Sequence, residues 1–201
     1  MSARVKVRLY IEGPLSAGAE VVARAPQAHY LRRVMRLGDG DKVALFNGRD
    51  GEWRAGIAGD GRRGCLLLVE EELRPQVPEA GPTLAFAPVK RLRLDYLAQK
   101  VCELGAARLL PVLTRHTGPV RVNLERLGAN AIEAAEQCGR LGLPEVAPPI
   151  PFDAFLDQDE RIFWADEQGG PPALDVFDAA ALGPATLLIG PEGGFAEEER
   201  A

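Results

Sequence analysis

The apolar positions of this chain change rhythm once. Near the start, Val5, Val7, Leu9 and Ile11 alternate with Lys6, Arg8 and Tyr10, a period of two that predicts a strand buried on one face. A helical stretch around His29–Met35 follows. Strands are then expected over Lys42–Phe46, Glu52–Ala58 and Cys65–Glu70, separated by the turn-forming segments DGD, NGRDG and GDGRRG. Strands joined in this way predict an antiparallel meander or small barrel over residues 1–74. Residues 75–82, rich in proline and glycine, read as a linker.

From residue 83 to 201 short apolar runs alternate with helical spacing. A strand over Thr83–Pro88 leads to Leu94, Leu97, Ala98, Val101 and Leu104 on one helix face, with Gly105 placed to end it. After a strand at Leu109–Leu113, Asn123 can cap a helix that turns Leu124, Leu127, Ala131, Ile132, Ala135 and Cys138 inward. Strands at Ile162–Ala165 and Thr186–Ile189 bracket a short helix near Leu174–Leu182. Strand and helix in alternation predict a parallel sheet covered by helices, so the fold class is α/β with a small β-rich domain in front.

Two glycine motifs are candidates for chemistry. Gly59, Gly61 and Gly64 spell the dinucleotide fingerprint, but CLLLVEE follows where a helix must open, so the segment reads as a hairpin loop. The second is TLLIGPEGGF at 186–195. Its strand has the apolar density of one buried on both faces, and it delivers the chain into Gly190, Pro191, Glu192, Gly193 and Gly194. Parallel sheets bind ligands at the carboxyl ends of their strands, and bare backbone permits close approach, so a cofactor is expected here, against Leu188, Ile189 and the turn. Residue types alone leave open an ordinary strand-to-helix turn. Beyond Phe195, AEEERA places three glutamates in the first turn of a helix with no apolar face before Ala201, so a further C-terminal stretch is expected.

Composition narrows the class. With 46% hydrophobic and 26% charged residues the chain is that of a globular protein. No tract has the length of a membrane span, and the N-terminus lacks a secretory core, so a cytoplasmic location is expected. Cys65, Cys102 and Cys138 are widely spaced and read as reduced hydrophobes, and with only His29 and His116 available no metal site is expected. The net charge of −5 is unevenly placed. The acidic excess lies in residues 152–201, where only Arg161 and Arg200 are basic, while residues 1–40 carry seven Lys and Arg against three acids. A local basic surface suits phosphate even on an acidic chain, although a solvated helix face fits the same residues.

Together these segments resemble the 16S ribosomal RNA uridine N3-methyltransferases, a family of the knotted SPOUT class. The resemblance is carried by Arg8 on the first strand, His29 before RVMR at 33–36, KVCELG at 100–105, Glu133, Glu136, Gln137 and Arg140 on one helix, and GPEGGF at 190–195. It implies a PUA-like barrel that grips RNA, a SPOUT domain with a trefoil knot, a homodimer, and S-adenosylmethionine as methyl donor to N3 of a uridine in 16S RNA. The family continues with L-G-x-R-I-L-R-x-E-T-A, absent from these residues, so the knot is expected to be incomplete in them. Ala165, Asp166 and Glu167 would form the first wall of the adenosine pocket. Arg8, His29, Arg33, Arg36, Lys90, Lys100, Arg115 and Arg140 are candidate RNA contacts. Glu192 is either a general base for the N3 proton or an acceptor of backbone N–H bonds that fixes the turn. A non-catalytic RNA-binding, dimerising protein and a ribose 2′-O-methyltransferase are the rival readings.

Overall fold

The computed structural model describes residues 5, 7–61, 64–89, 91–119, 121–158, 161–179 and 185–201. The chain divides into two compact units, residues 1–78 with 135–142, and residues 79–134 with 143–201. Among the described residues no helix is long and apolar enough to cross a membrane.

The first unit is a curled five-stranded sheet. Strands β1 (Arg8–Tyr10), β2 (Glu20–Val22), β3 (Lys42–Phe46), β4 (Glu52–Gly61) and β5 (Gly64–Arg74) lie in the order β1-β3-β4-β5-β2. The β3-β4-β5 meander is antiparallel, and β2 adds antiparallel to β5. β1 departs from the expected pattern by running parallel to β3, with Leu9 opposite Leu45. The stretch between them, which carries β2 and a helix, supplies the long crossover that a parallel pair requires. Register shifts along β4 and β5 add twist and curl the sheet around Val43, Leu45, Ile57, Leu67 and Val69, all deeply buried. The β4–β5 hairpin pairs Gly61 with Gly64, so the G-x-G-x-x-G run is a hairpin and not a nucleotide loop.

The helical stretch begins earlier than the sequence predicts, as α1 (Ala25–His29), and widens into a π-helical turn over Tyr30–Val34. Pro26 favours the early start because its fixed φ suits the first turn. The widened turn closes with the Leu37 N–H on the Leu31 carbonyl at 2.9 Å. Arg36 sits at the reversal with φ 55°, the one positive φ outside glycine among the described residues.

A buried charge cluster holds residues 135–142 in this unit. Glu52, 6% exposed, accepts from Arg8 Nε and, at 2.7 Å, from Arg74 Nε. Arg8 lies over the Phe46 ring and donates onward to the carbonyls of Ala135, Glu136 and Arg140, while Arg74 donates to that of Gly139. These carbonyls belong to a helix end and the turn after it, where cations suit the dipole and carbonyls lack helical partners. Burial pushes the Glu52 carboxyl up, but hydrogen bonds from Arg74 and Arg8 outweigh it and hold the carboxyl below its usual range.

In the second unit β6 (Thr83–Phe86), β7 (Arg108–Leu113), β8 (Glu145–Val146), β10 (Ile162–Ala165) and β11 (Thr186–Ile189) form a parallel sheet in the order β10-β11-β6-β7-β8, with β9 (Ile150–Pro151) also on β7. Its two faces bury separate cores. On one, Leu84, Phe86 and Leu109 meet Leu94, Ala98 and Val101 of α2 (Arg91–Glu103) and Leu127 of α3 (Leu124–Cys138). On the other, Ala85, Leu110, Val112 and Leu188 meet Phe195 together with Phe152 and Phe155 of α4 (Phe152–Leu156). Asn123 caps α3 as predicted, its Oδ1 accepting from the Arg126 N–H at 3.0 Å.

Three positions differ from expectation. Leu104 lies outside α2 and is exposed, because Gly105 at φ 88° turns the chain back and the Ala106 N–H returns to the Val101 carbonyl. Cys138 is exposed, whereas Cys65 and Cys102 are buried; in its place Ala134 completes the inward stripe of α3. β11 is not buried on both faces throughout, since Ile189 at its carboxyl end is 40% exposed.

Candidate active site

The sheet order places a crevice. From β6 the chain steps to β7 and β8 on one side, then returns to β10 and inserts β11 on the other, so the winding reverses between β6 and β11. Connections leave such a pair of strands in opposite directions and open a cleft beyond their carboxyl ends. Ile189, the GPEGGF turn after β11, and Ala87 after β6 all stand there; the Ala87 N–H reaches the Ile189 carbonyl at 2.9 Å.

The glycines of the turn are required for different reasons. A Cβ on Gly190 would meet the Phe195 ring at 2.5–2.8 Å, so this glycine lets Phe195 fold under the strand end. Gly194 has φ 69°, its N–H closes the turn on the Pro191 carbonyl at 3.0 Å, and a Cβ there would run into the Glu167 carboxylate. Gly193 is under no such constraint. Its nearest neighbours would be His116 atoms at 3.6 and 3.9 Å, an ordinary contact, and its φ is not positive. Bare backbone at Gly193 is thus left unexplained by the folded chain itself, and this is the position open to a ligand.

Other loops converge on the turn. The loop after β7 brings His116, whose Nδ1 lies 3.0 Å from the Gly194 carbonyl. Arg200, on the short helix α6 (Glu197–Arg200) that follows α5 (Ala173–Ala179) and β11, reaches Asp166 at 3.0 Å, Glu167, and the Phe195 carbonyl. The Arg200 guanidinium holds the Asp166 carboxyl below the usual carboxylate range. Glu199 caps α6 at its own Ala196 N–H, 2.8 Å, and also accepts from the Arg115 N–H at 2.7 Å. Among the described residues Glu192 accepts none of the backbone bonds expected of a structural anchor. It points outward to an ion pair with Arg93 of α2, Nη1 to Oε1 at 2.7 Å.

The candidate residues fall into distinct settings. Ala165, Asp166, Glu167, Ile189 and Gly190–Gly194 gather around the crevice, whereas the Leu188 side chain is fully buried in the core. His29, Arg33, Arg36 and Arg115 are exposed. Lys100 donates to Glu103 at 2.6 Å, which raises its pKa, and Arg140 is half-buried. Arg8 is the most fully engaged of these cations among the described residues. Its guanidinium is directed to Glu52 and three carbonyls, as a structural anchor would be. Lys90 lies outside the described residues.

Residues 78–201 match the family described as RNA methyltransferase domain, and residues 24–70 match RNA methyltransferase PUA domain. The chain belongs to the RNA methyltransferase family. It is 31% identical to Ribosomal RNA small subunit methyltransferase E of Rickettsia conorii over 96% of this chain and 80% of that protein. The protein of the same name from Synechocystis is 32% identical, over 90% of this chain and 62% of the relative. Among solved structures, a methyltransferase from Legionella pneumophila in complex with the cofactor SAM superposes with a TM-score of 0.83 at 25% identity, covering 98% of this chain and 84% of that one. Ribosomal RNA small subunit methyltransferase E from Neisseria gonorrhoeae, bound to S-adenosyl methionine, gives 0.82 at 25% identity, over 96% and 83% of the two chains.

In this methyltransferase, sequence reasoning missed Arg93 and Arg200. Both pair with carboxylates of the motif residues across long stretches of chain, and neither carries a local signal.

Proposed function

We propose that the protein transfers a methyl group from S-adenosylmethionine to N3 of a uridine in 16S ribosomal RNA of the small subunit. What supports this is a GPEGGF turn at the switch point of a methyltransferase-family sheet, with Gly193 bare for no reason internal to the chain. The relatives named for small-subunit ribosomal RNA supply the substrate. When bound, the cofactor supplies an electrophilic methyl on a sulfonium, so the protein's task is to orient the uracil and manage its N3 proton. Gly193 and the turn backbone would hold the cofactor against Ile189, with Ala165, Asp166 and Glu167 as the first wall of the adenosine pocket. The carboxylates of that wall are oriented by Arg200, which suits hydroxyl donors of a ribose.

The finer architecture is part of the same reading: a PUA-like RNA-binding domain over residues 1–74, a linker at 75–82, a SPOUT domain with a trefoil knot from 83 onward, and a homodimer acting in the cytoplasm. His29, Arg33 and Arg36 would contact phosphate. Arg33→Ala combined with Arg36→Ala is expected to weaken RNA binding and to flatten its log–log salt dependence by about 0.7–0.9 for each phosphate no longer neutralised, with cofactor affinity unchanged. Filter binding across a salt series checks this. Arg36→Gly separates fold from function. It relieves a positive φ, so the thermal midpoint should hold or rise while RNA affinity falls.

The reaction is tested by incubating the protein with labelled S-adenosylmethionine and small subunits lacking the modification, then digesting the RNA to nucleosides. 3-Methyluridine is the expected product. A 2′-O-methylated nucleoside would reassign the substrate atom, and RNA binding without cofactor binding would favour a non-catalytic protein.

A further inference from the structure

Resting on the proposed N3 methylation, we infer that Arg93 is a catalytic residue, the cation that stabilises the uracil anion, and that Glu192 is its positioning residue and not the base. N3 of uracil is a poor nucleophile until its proton leaves, and the charge then spreads onto the flanking O2 and O4. A donor aimed at one of those oxygens lowers the barrier most when it is fixed before the reaction. Arg93 lies in the first turn of α2, the element that follows β6, and Glu192 lies in the turn that follows β11. β6 and β11 are the two strands whose carboxyl ends form the crevice. The pair therefore bridges the two sides of its mouth, 2.7 Å apart, with both side chains more than half exposed and open to a substrate.

A guanidinium has five donors in a planar fork, so the bond to Glu192 fixes its plane and leaves other N–H groups for a carbonyl oxygen. The same bond argues against Glu192 as a general base, since it already engages a Glu192 carboxylate oxygen with the guanidinium. Among the described residues several neighbours of the turn are engaged elsewhere: His116 with the Gly194 carbonyl, Asp166 and Glu167 with Arg200, and Glu199 with the Ala196 and Arg115 N–H groups. In the step itself the N3–H bond breaks and its proton passes to solvent water. The N3 electron pair forms the N3–CH3 bond as the S–CH3 bond breaks, and the sulfonium becomes a neutral thioether.

The test is single-turnover methylation of small subunits by wild type, Arg93→Gln, Arg93→Lys and Glu192→Gln across a pH series, with cofactor affinity measured alongside. Arg93→Gln is expected to lower the rate at neutral pH about a hundredfold or more, as for loss of one anion-stabilising donor, with cofactor affinity unchanged. Its rate should recover as pH rises, because hydroxide then removes the N3 proton without help. Arg93→Lys should keep part of the rate and Glu192→Gln should retain more than Arg93→Gln. A wild-type rate and pH profile in Arg93→Gln would overturn the assignment while 3-methyluridine formation by the parent enzyme still stood. A Glu192→Gln variant slower than Arg93→Gln, with a lost acidic limb, would return the base role to Glu192. A loss of cofactor affinity equal to the loss of rate in Arg93→Gln would also overturn it, making the residue a binding group.

Discussion

Glu52→Ala should destabilise the protein by about 3–5 kcal/mol, the cost of removing one partner from a buried ion pair and leaving the other charge uncompensated. Glu52 is 6% exposed and neutralises two arginines at once. Without it, Arg8 keeps Phe46 and backbone carbonyls but loses the carboxylate it pairs with. Glu52→Gln keeps the shape and some acceptor capacity, so its loss should be smaller. The sign with pH is fixed by the depressed carboxyl of Glu52. Its contribution is fully present above the ordinary carboxylate range and is lost as pH falls through the lowered folded value. Urea unfolding of wild type and Glu52→Gln at neutral and at acidic pH should therefore show two stabilities that converge in acid. A gap that widens in acid would contradict the linkage.

The second large effect separates two adjacent glycines. Gly193→Val should leave the fold intact, because a Cβ there meets nothing closer than 3.6 Å, yet it should weaken S-adenosylmethionine binding by about a hundredfold, roughly 2.7 kcal/mol. Gly194→Val should lower the thermal midpoint as well, since it forces a β-branched residue to φ 69° and against Glu167. Calorimetric titration together with thermal melts reads both. If Gly193→Val binds cofactor like wild type, the open backbone at 193 is not the ligand's place.

The fold was legible where apolar runs are bounded by charged or turn-forming residues. β3, β10 and β11 fall on the residues that their patterns predict. β2 was not, because EVV is too short for a period to register. The parallel seating of β1 on β3 depends on a long crossover and leaves no trace in the alternation of Val7, Leu9 and Ile11. At the site, GPEGGF announced itself by composition. The reason for each glycine did not, since it lies with Phe195 for Gly190 and Glu167 for Gly194. The partner of Glu192 stands 99 residues away on another element, and only the folded chain pairs them. The partners of Arg8 were hidden for the same reason. A lone cation on a strand looks like a surface charge until its buried carboxylate is seen.

β11 is the last strand of its sheet in sequence, yet it occupies a slot between β6 and β10. Until that strand has left the ribosomal tunnel, β6 and β10 each present an unsatisfied backbone edge, and the second unit cannot close during synthesis. Such edges invite pairing with other chains, so the nascent protein passes through an aggregation-prone interval that ends only when Thr186–Ile189 arrive.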